Sequence, residues 1–219
     1  MKIRRYIYLM ISALFSITFF ANFCFKNETK CYKQSEKIEF KTGDIIFQTS
    51  MSNQSKAIQI ATNSIYSHCG IIIIENKKLF VVEAIQPVTK TSLNNFINRG
   101  VNKHYVVKRL NNADKIFTES VINNFNKEIN KSLGKNYDTL FNWSDEKLYC
   151  SELVWKLYKN TTGIEIGKLG KLRDFNLENE SVKKILKNRY SNKIPLNETV
   201  ISPGAIFNFD GLTEVYSIK

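Results

Sequence analysis

Histidine is nearly absent from this chain, with two residues in 219. Any chemistry that needs an imidazole must therefore use His68 or His104. Cysteine is scarce too, at Cys24, Cys31, Cys69 and Cys150, and the spacing matches no zinc knuckle. No disulfide framework is read from them. Cys24 and Cys31 fall in or beside an N-terminal leader, and Cys69 and Cys150 adjoin the chemistry described below. Acidic residues are few, 20 against 32 Lys and Arg, for a formal charge of +12. Such an excess can mark a nucleic-acid binder. Here the lysines are scattered among asparagines without a dense basic stripe, and no aromatic RNA-binding signature accompanies them, so no nucleic-acid partner is expected. A surface facing anionic membrane or cell-wall polymer fits that charge better. There is no internal repeat and no low-complexity tract beyond a Lys/Asn bias.

One long apolar run is present, at the N-terminus. Lys2, Arg4 and Arg5 precede a stretch from Tyr6 to Phe25 that is closed by Lys26. Positive residues followed by an apolar run are the order of an export signal, and ~20 such residues also suffice to span a bilayer. Residues 1–25 are therefore expected to be an export signal or a membrane anchor. Ala21-Asn22-Phe23 offers no small-x-small cleavage site, and Phe23 occupies the place where lipidation of Cys24 requires a small residue. Export to the periplasm or cell envelope is expected, with membrane association through the N-terminus. Residues 26–37 are polar and charged and read as a linker, leaving 38–219 as one domain.

Within that domain, Phe40–Phe47 reads as a turn and strand, and Ser55–Thr62 as a short helix with Ser55 as its cap. A hairpin follows: His68–Ile74, a turn at Glu75-Asn76-Lys77-Lys78, then Leu79–Ala84. Tyr105–Leu110 is a further strand. Apolar residues at helical spacing from Ile116 to Leu133 predict a helix ending near Gly134, and others follow at Ser151–Asn160 and Glu178–Arg189. Ile201–Ile218 reads as a closing hairpin or pair of strands. The order strands, helix, helix, strands predicts one α+β domain.

Two residues then stand out. His68 leads into the apolar run Ile71–Ile74, and Cys150 opens a helix. A turn centred between Asn76 and Lys77 sets Gly70 opposite Glu83 and Ile72 opposite Val81. His68 then shares a face with Glu83 as its diagonal neighbour, ~7–8 Å away at the backbone. A carboxylate there holds the imidazole tautomer and stabilises its cation. Cys150 lies where free N–H groups and the positive end of the helix dipole favour a thiolate, and those N–H groups suit an oxyanion. Each residue also has a plainer reading: Cys150 as packing, His68 as a satisfied structural histidine, Glu83 as a partner for a lysine. Ser151 and Glu152 can be read as a cap and a first-turn acid, and His104, with no carboxylate nearby, as a surface residue.

The segments Gly43–Gln48, Tyr66–Ile72, Val82-Glu83-Ala84, Asn98-Arg99-Gly100, Tyr137-Asp138 and Tyr149–Val154 occur in that order, with Ser202-Pro203-Gly204 near the end. In this the chain resembles the permuted papain-like amidases, the YiiX/YaeF branch of the NlpC/P60 superfamily. The resemblance implies an α+β papain-like fold, an antiparallel sheet packed against helices. It also implies Cys150 as nucleophile, His68 as base and Glu83 as the residue orienting it. Cys69, where similar chains often carry an apolar residue, adds a second thiol. An exported cysteine hydrolase of amides or esters is expected, working through a thioester acyl-enzyme without metal or organic cofactor. Tyr66 and Tyr137 are candidates for the substrate cleft. Three substrate classes stay open: cell-wall peptides, N-acylated small amines, and lipids in a thiol acyltransferase or lipase. A non-catalytic binding domain on the same fold is the competing reading. A long apolar cleft favours lipid, and a polar, acidic one favours peptide or amine.

Overall fold

The computed structural model describes residues 39–218 apart from Asn53 and Asn192; the expected leader and linker lie outside the described residues. The chain begins with strand β1 (Ile45–Gln48), helix α1 (Ser55–Thr62), and strands β2 (His68–Glu75), β3 (Lys78–Glu83) and β4 (Thr89–Ser92). Helix α2 (Leu93–Asn98), strand β5 (Tyr105–Leu110) and helices α3 (Ala113–Ile116), α4 (Glu119–Ser132) and α5 (Cys150–Thr162) follow. The remainder comprises β6 (Gly170–Lys171), α6 (Glu180–Tyr190), β7 (Thr199–Val200), α7 (Pro203–Phe207) and β8 (Leu212–Ile218). Six strands form one antiparallel sheet in the order β4-β3-β2-β1-β5-β8, and β6 pairs with β7. This is the expected α+β architecture. Among the described residues no helix is long and apolar enough to cross a membrane.

Side chains alternate across a strand, so each strand feeds two layers. Ile45, Phe47, Ile71, Ile73 and Val82 meet Leu153, Val154 and Leu157 of α5 and Phe125 and Ile129 of α4. On the other face Ile46, Ile72, Val81 and Val107 cluster with Phe96 of α2. Burial on both faces explains why Ile71-Ile72-Ile73 is uniformly apolar rather than alternating. A third, smaller cluster joins α1 to α6 through Ala57, Val182 and Leu186.

The hairpin has the expected register. Asn76 and Lys77 both take positive φ (50° and 61°), as a two-residue type I′ loop requires, and Ile71 pairs with Val82 and Ile72 with Val81. Gly70 therefore falls opposite Glu83. A Cβ on Gly70 would lie 2.5 Å from Val81 Cγ1, 2.9 Å from the Val82 carbonyl oxygen and 3.3 Å from Glu83 Cβ. The backbone oxygen cannot swing aside, so the strands must part at Glu83. Gly70→Ala is expected to cost about 1–3 kcal/mol. That is a fall in Tm of roughly 3–10 °C in thermal unfolding. An unchanged Tm would show that the strands separate there freely.

Several local expectations are corrected. Residues 201–218 form a helix and one strand rather than two strands, because Ser202 caps α7 by accepting from the Ala205 N–H (3.0 Å) and Pro203 sits in its first turn. The long helix expected from Ile116 is broken, since Thr118 caps α4 through the Val121 N–H and leaves α3 separate. Ser55 does not cap α1; its hydroxyl instead bonds the Ser67 hydroxyl at 2.6 Å. Strand β4 and helix α2 have no counterpart among the expected elements. Thr89-Lys90-Thr91-Ser92 is polar and half-buried at the sheet edge, so it carries no apolar signal.

Candidate active site

His68 opens β2 beside Gln48 of β1, and Glu83 closes β3. With Gly70 leaving space between them, the imidazole Nε2–H donates to Glu83 Oε2 at 2.7 Å. Glu83 is fully buried, and its second oxygen accepts from the Arg99 guanidinium. Burial pushes its carboxyl up, but bonds from His68 and Thr91 and the charge of Arg99 hold it below the ordinary range. The ring of Phe96 stacks on His68 at 5.6 Å, and the Arg99 guanidinium lies over that same ring at 5.9 Å. With Nε2 committed to Glu83, Nδ1 is the nitrogen left for the thiol.

Cys150 is the first residue of α5, whose start is pinned from three sides. Glu152, fully buried, accepts from the Tyr149 N–H at 3.4 Å; Ser151 donates to the Ile201 carbonyl at 2.8 Å; the Tyr149 hydroxyl accepts from the Ile201 N–H at 3.1 Å. Burial pushes Glu152 up to about 7, although Lys156 lies 2.9 Å from it. First-turn helix N–H groups, that of Cys150 among them, have no acceptor within the helix.

The structure brings Cys150, His68 and Glu83 together. Burial pushes the imidazolium down, but bonds and charges from Cys150 and Glu83 outweigh it and raise His68 to about 9. The thiol of Cys150 is held well below its usual range, first by a hydrogen bond from Cys69, then by His68, against the opposing effect of burial. Cys69 moves the other way, pushed up by burial and by Cys150. Both cysteines are buried and free. Of the two thiols, Cys150 is the one favoured to ionise, because it has the His68 ring and a helix N-terminus beside it. The three side chains stand in the sequence thiol, imidazole, carboxylate, and the lowered Cys150 and raised His68 both favour the ionised form of the pair.

Two concavities meet at this point. One, about 740 Å³ with its mouth, runs from Cys150 between α1 and α6 and is lined by Ala57, Ile58, Phe175, Val182, Ile185 and Val200. Apart from Cys150 itself, Arg189 is the one ionised side chain in its lining among the described residues. The other, about 1120 Å³ with its open side, lies at His68 and is bordered by Gln48, Ser50, Ser52, Gln86 and Arg99. Tyr137 and Gln54 border both.

Of the two tyrosines, Tyr137 is therefore at the site. Its segment is tied to the start of α5 by the Asp138 N–H to the Leu148 carbonyl (3.2 Å) and the Leu148 N–H to the Asn136 carbonyl (3.1 Å). Asp138 in turn organises the following loop, accepting from the Leu140 and Asn142 N–H groups at 2.7 Å each. Tyr66 lies elsewhere, packed among Phe47, Phe207 and His104, and lines neither concavity. Aromatic packing holds it on Phe207, with ring centroids 4.3 Å apart. His104 is half-buried against Tyr66 rather than free on the surface.

The sequence alone points to no role for Arg99, Gln54 or Arg189. Arg99 stood inside a matched segment, as did Gly100, whose missing side chain leaves room for the Gln48 side-chain oxygen. Nothing in the sequence marks Gln54 or Arg189, which meet across 135 positions.

Comparison with known proteins finds similarity in sequence and in fold. Residues 39–216 match the family model described as permuted papain-like amidase enzyme, YaeF/YiiX, C92 family. The chain is 46% identical over 175 residues to the uncharacterized protein YiiX of Escherichia coli K12, covering 80% of this chain and 85% of that one. It also superposes on the crystal structure of the metalloprotein YiiX from Escherichia coli O157:H7 with a TM-score of 0.77 and 46% identity, covering 81% of this chain and 97% of the other.

Proposed function

Since the chain belongs to the YaeF/YiiX family of permuted papain-like amidases, we propose that it hydrolyses amides or esters of apolar acyl groups through Cys150, His68 and Glu83. The apolar concavity that ends on Cys150 carries this reading. Of the substrates the sequence leaves open, it favours lipid-like acyl groups over cell-wall peptides. The concavity at His68 suits a small polar leaving group, because that ring must deliver the leaving-group proton.

The steps follow from the side chains. The Cys150 thiolate attacks the carbonyl carbon with the acyl chain in the apolar chamber. The oxyanion is held by the Cys150 N–H and the Tyr137 hydroxyl, which burial and the charge of Cys150 keep protonated. His68 gives its proton to the departing nitrogen or oxygen, leaving a thioester on Cys150 and a neutral imidazole. The imidazole then takes a proton from water, whose oxygen attacks the thioester. Collapse releases the carboxylic acid and restores the ion pair. Glu83 holds the ring and stabilises its cation throughout.

Although the Escherichia coli O157:H7 relative is described as a metalloprotein, no group of three or more His, Cys, Asp and Glu side chains among the described residues of this chain is placed to hold a metal, and none of these steps uses one.

Chain length gives the test. Each methylene buried in the chamber contributes about 0.8 kcal/mol, so kcat/KM on p-nitrophenyl esters is expected to rise roughly fourfold per methylene until the chamber is full. Acid quench during turnover should leave one acyl group on Cys150, seen by peptide mass. Preference for acetyl or for charged acyl groups would overturn the apolar substrate.

A further inference from the structure

Tyr137 can serve an oxyanion only if its single proton points at it, and the surroundings decide where that proton goes. The Gln54 amide lies between Tyr137 and Arg189. Its Nε2 is 3.2 Å from the Tyr137 hydroxyl, and its Oε1 accepts from the Arg189 guanidinium. An amide can ordinarily be turned either way round. Here it cannot, because a guanidinium only donates and must therefore face the carbonyl oxygen. The NH2 group is thus directed at Tyr137, whose oxygen accepts, and the phenolic proton is left for a different acceptor. Arg189 is itself held on α6, packed over the ring of Phe141 at 4.7 Å.

We infer that Gln54 and Arg189 are positioning residues which, by donating in sequence from Arg189 to Gln54 to Tyr137, aim the Tyr137 proton at the oxyanion formed on the Cys150 acyl group. This rests on the proposed Cys150 chemistry and adds to it two side chains that touch no reacting atom. Arg189 and the chamber wall share helix α6, so the orienting relay and the acyl-binding surface are built on one element.

Gln54→Glu tests the relay with almost no change in shape. A carboxylate still accepts from Arg189 but cannot donate, so the Tyr137 proton turns to that carboxylate and away from the oxyanion. With a medium-chain p-nitrophenyl ester, kcat should fall about 10- to 100-fold, a larger change than any in KM. Tyr137→Phe should fall at least as far, within the range of about 100- to 1,000-fold for loss of one oxyanion donor. The double variant Gln54→Glu/Tyr137→Phe should be no slower than Tyr137→Phe alone. Arg189→Met should lose part of the rate and Arg189→Lys, which keeps a donor to Gln54, should recover it.

Alkylation of Cys150 by iodoacetamide supplies the control, because that displacement passes through no oxyanion. Its rate should be unchanged in Gln54→Glu, which also shows that the site is folded. An unaltered kcat in Gln54→Glu, or an equal further loss when it is added to Tyr137→Phe, overturns the relay while leaving the Cys150 reading intact. Failure of the unaltered protein to form an acyl-enzyme overturns both.

Discussion

Cys150→Ala will abolish hydrolysis of both an acyl p-nitrophenyl ester and an acyl amide, and His68→Ala will separate the two substrates. The nucleophile has no substitute: Cys69 is buried, its thiol is pushed up, and it lacks the helix start and imidazolium that Cys150 has. His68 has two tasks, keeping the thiol ionised and protonating the leaving group. p-Nitrophenolate departs without a proton, so on the ester only the first task is lost. Loss of positioned acid–base assistance costs about 100- to 10,000-fold. His68→Ala should therefore fall near the lower end on the ester and near the upper end on the amide. Glu83→Gln keeps an acceptor for Nε2 but removes the charge behind the imidazolium, and about a tenfold loss is expected on the amide. Parallel rate measurements on both substrates read all three. Residual amide hydrolysis by Cys150→Ala would refute the nucleophile outright; equal losses on ester and amide in His68→Ala would remove the general-acid role.

The separation between what was legible in the sequence and what was not follows the physics of each contact. The hairpin could be placed to the residue because a two-residue turn fixes register and strand parity fixes face, so Gly70, Glu83 and His68 followed from counting. Cys150 was legible as a helix start because apolar spacing begins there. The edge strand β4 was not, since a polar four-residue strand has no periodic signal, nor was α7, where a Ser-Pro start was outweighed by apolar residues that read equally well as strand. Within the site, residues set by local geometry were found and those set by tertiary meeting were not. Arg99 reaches Glu83 from a different element, and Gln54 meets Arg189 through the docking of α1 on α6. Tyr66 illustrates the opposite error: two residues from His68 in sequence, it is committed to Phe207 instead.

The pH dependence of Cys150 labelling is where the ion pair declares itself. Protonating the thiolate requires lowering the pH through a value held well below that of a free thiol, while discharging His68 requires raising it to about 9. Between those limits the pair is intact, so iodoacetamide should label Cys150 at a rate that hardly changes from pH 6 to 8. Cys69→Ser is the proper background, because the hydroxyl keeps a donor toward Cys150 while removing the second thiol from the count. Adding His68→Ala removes the imidazolium and moves the thiol part of the way back toward the free value of about 8.5, the donor at position 69 and the helix start still acting on it. Below its own midpoint the ionised fraction falls tenfold for each unit of acid. The ratio of the two rates should therefore widen steadily as the pH falls from 8 to 6, approaching tenfold per unit at the acid end. A low-pKa thiolate is also a weaker nucleophile, so the two curves should cross rather than merely converge near pH 9. A slope in the unaltered His68 protein as steep as in the variant would mean that no ion pair exists before substrate arrives. Hydrolysis of the amide, by contrast, should decline above pH 9 even as labelling persists, because alkylation needs only the thiolate and amide cleavage needs the His68 proton as well.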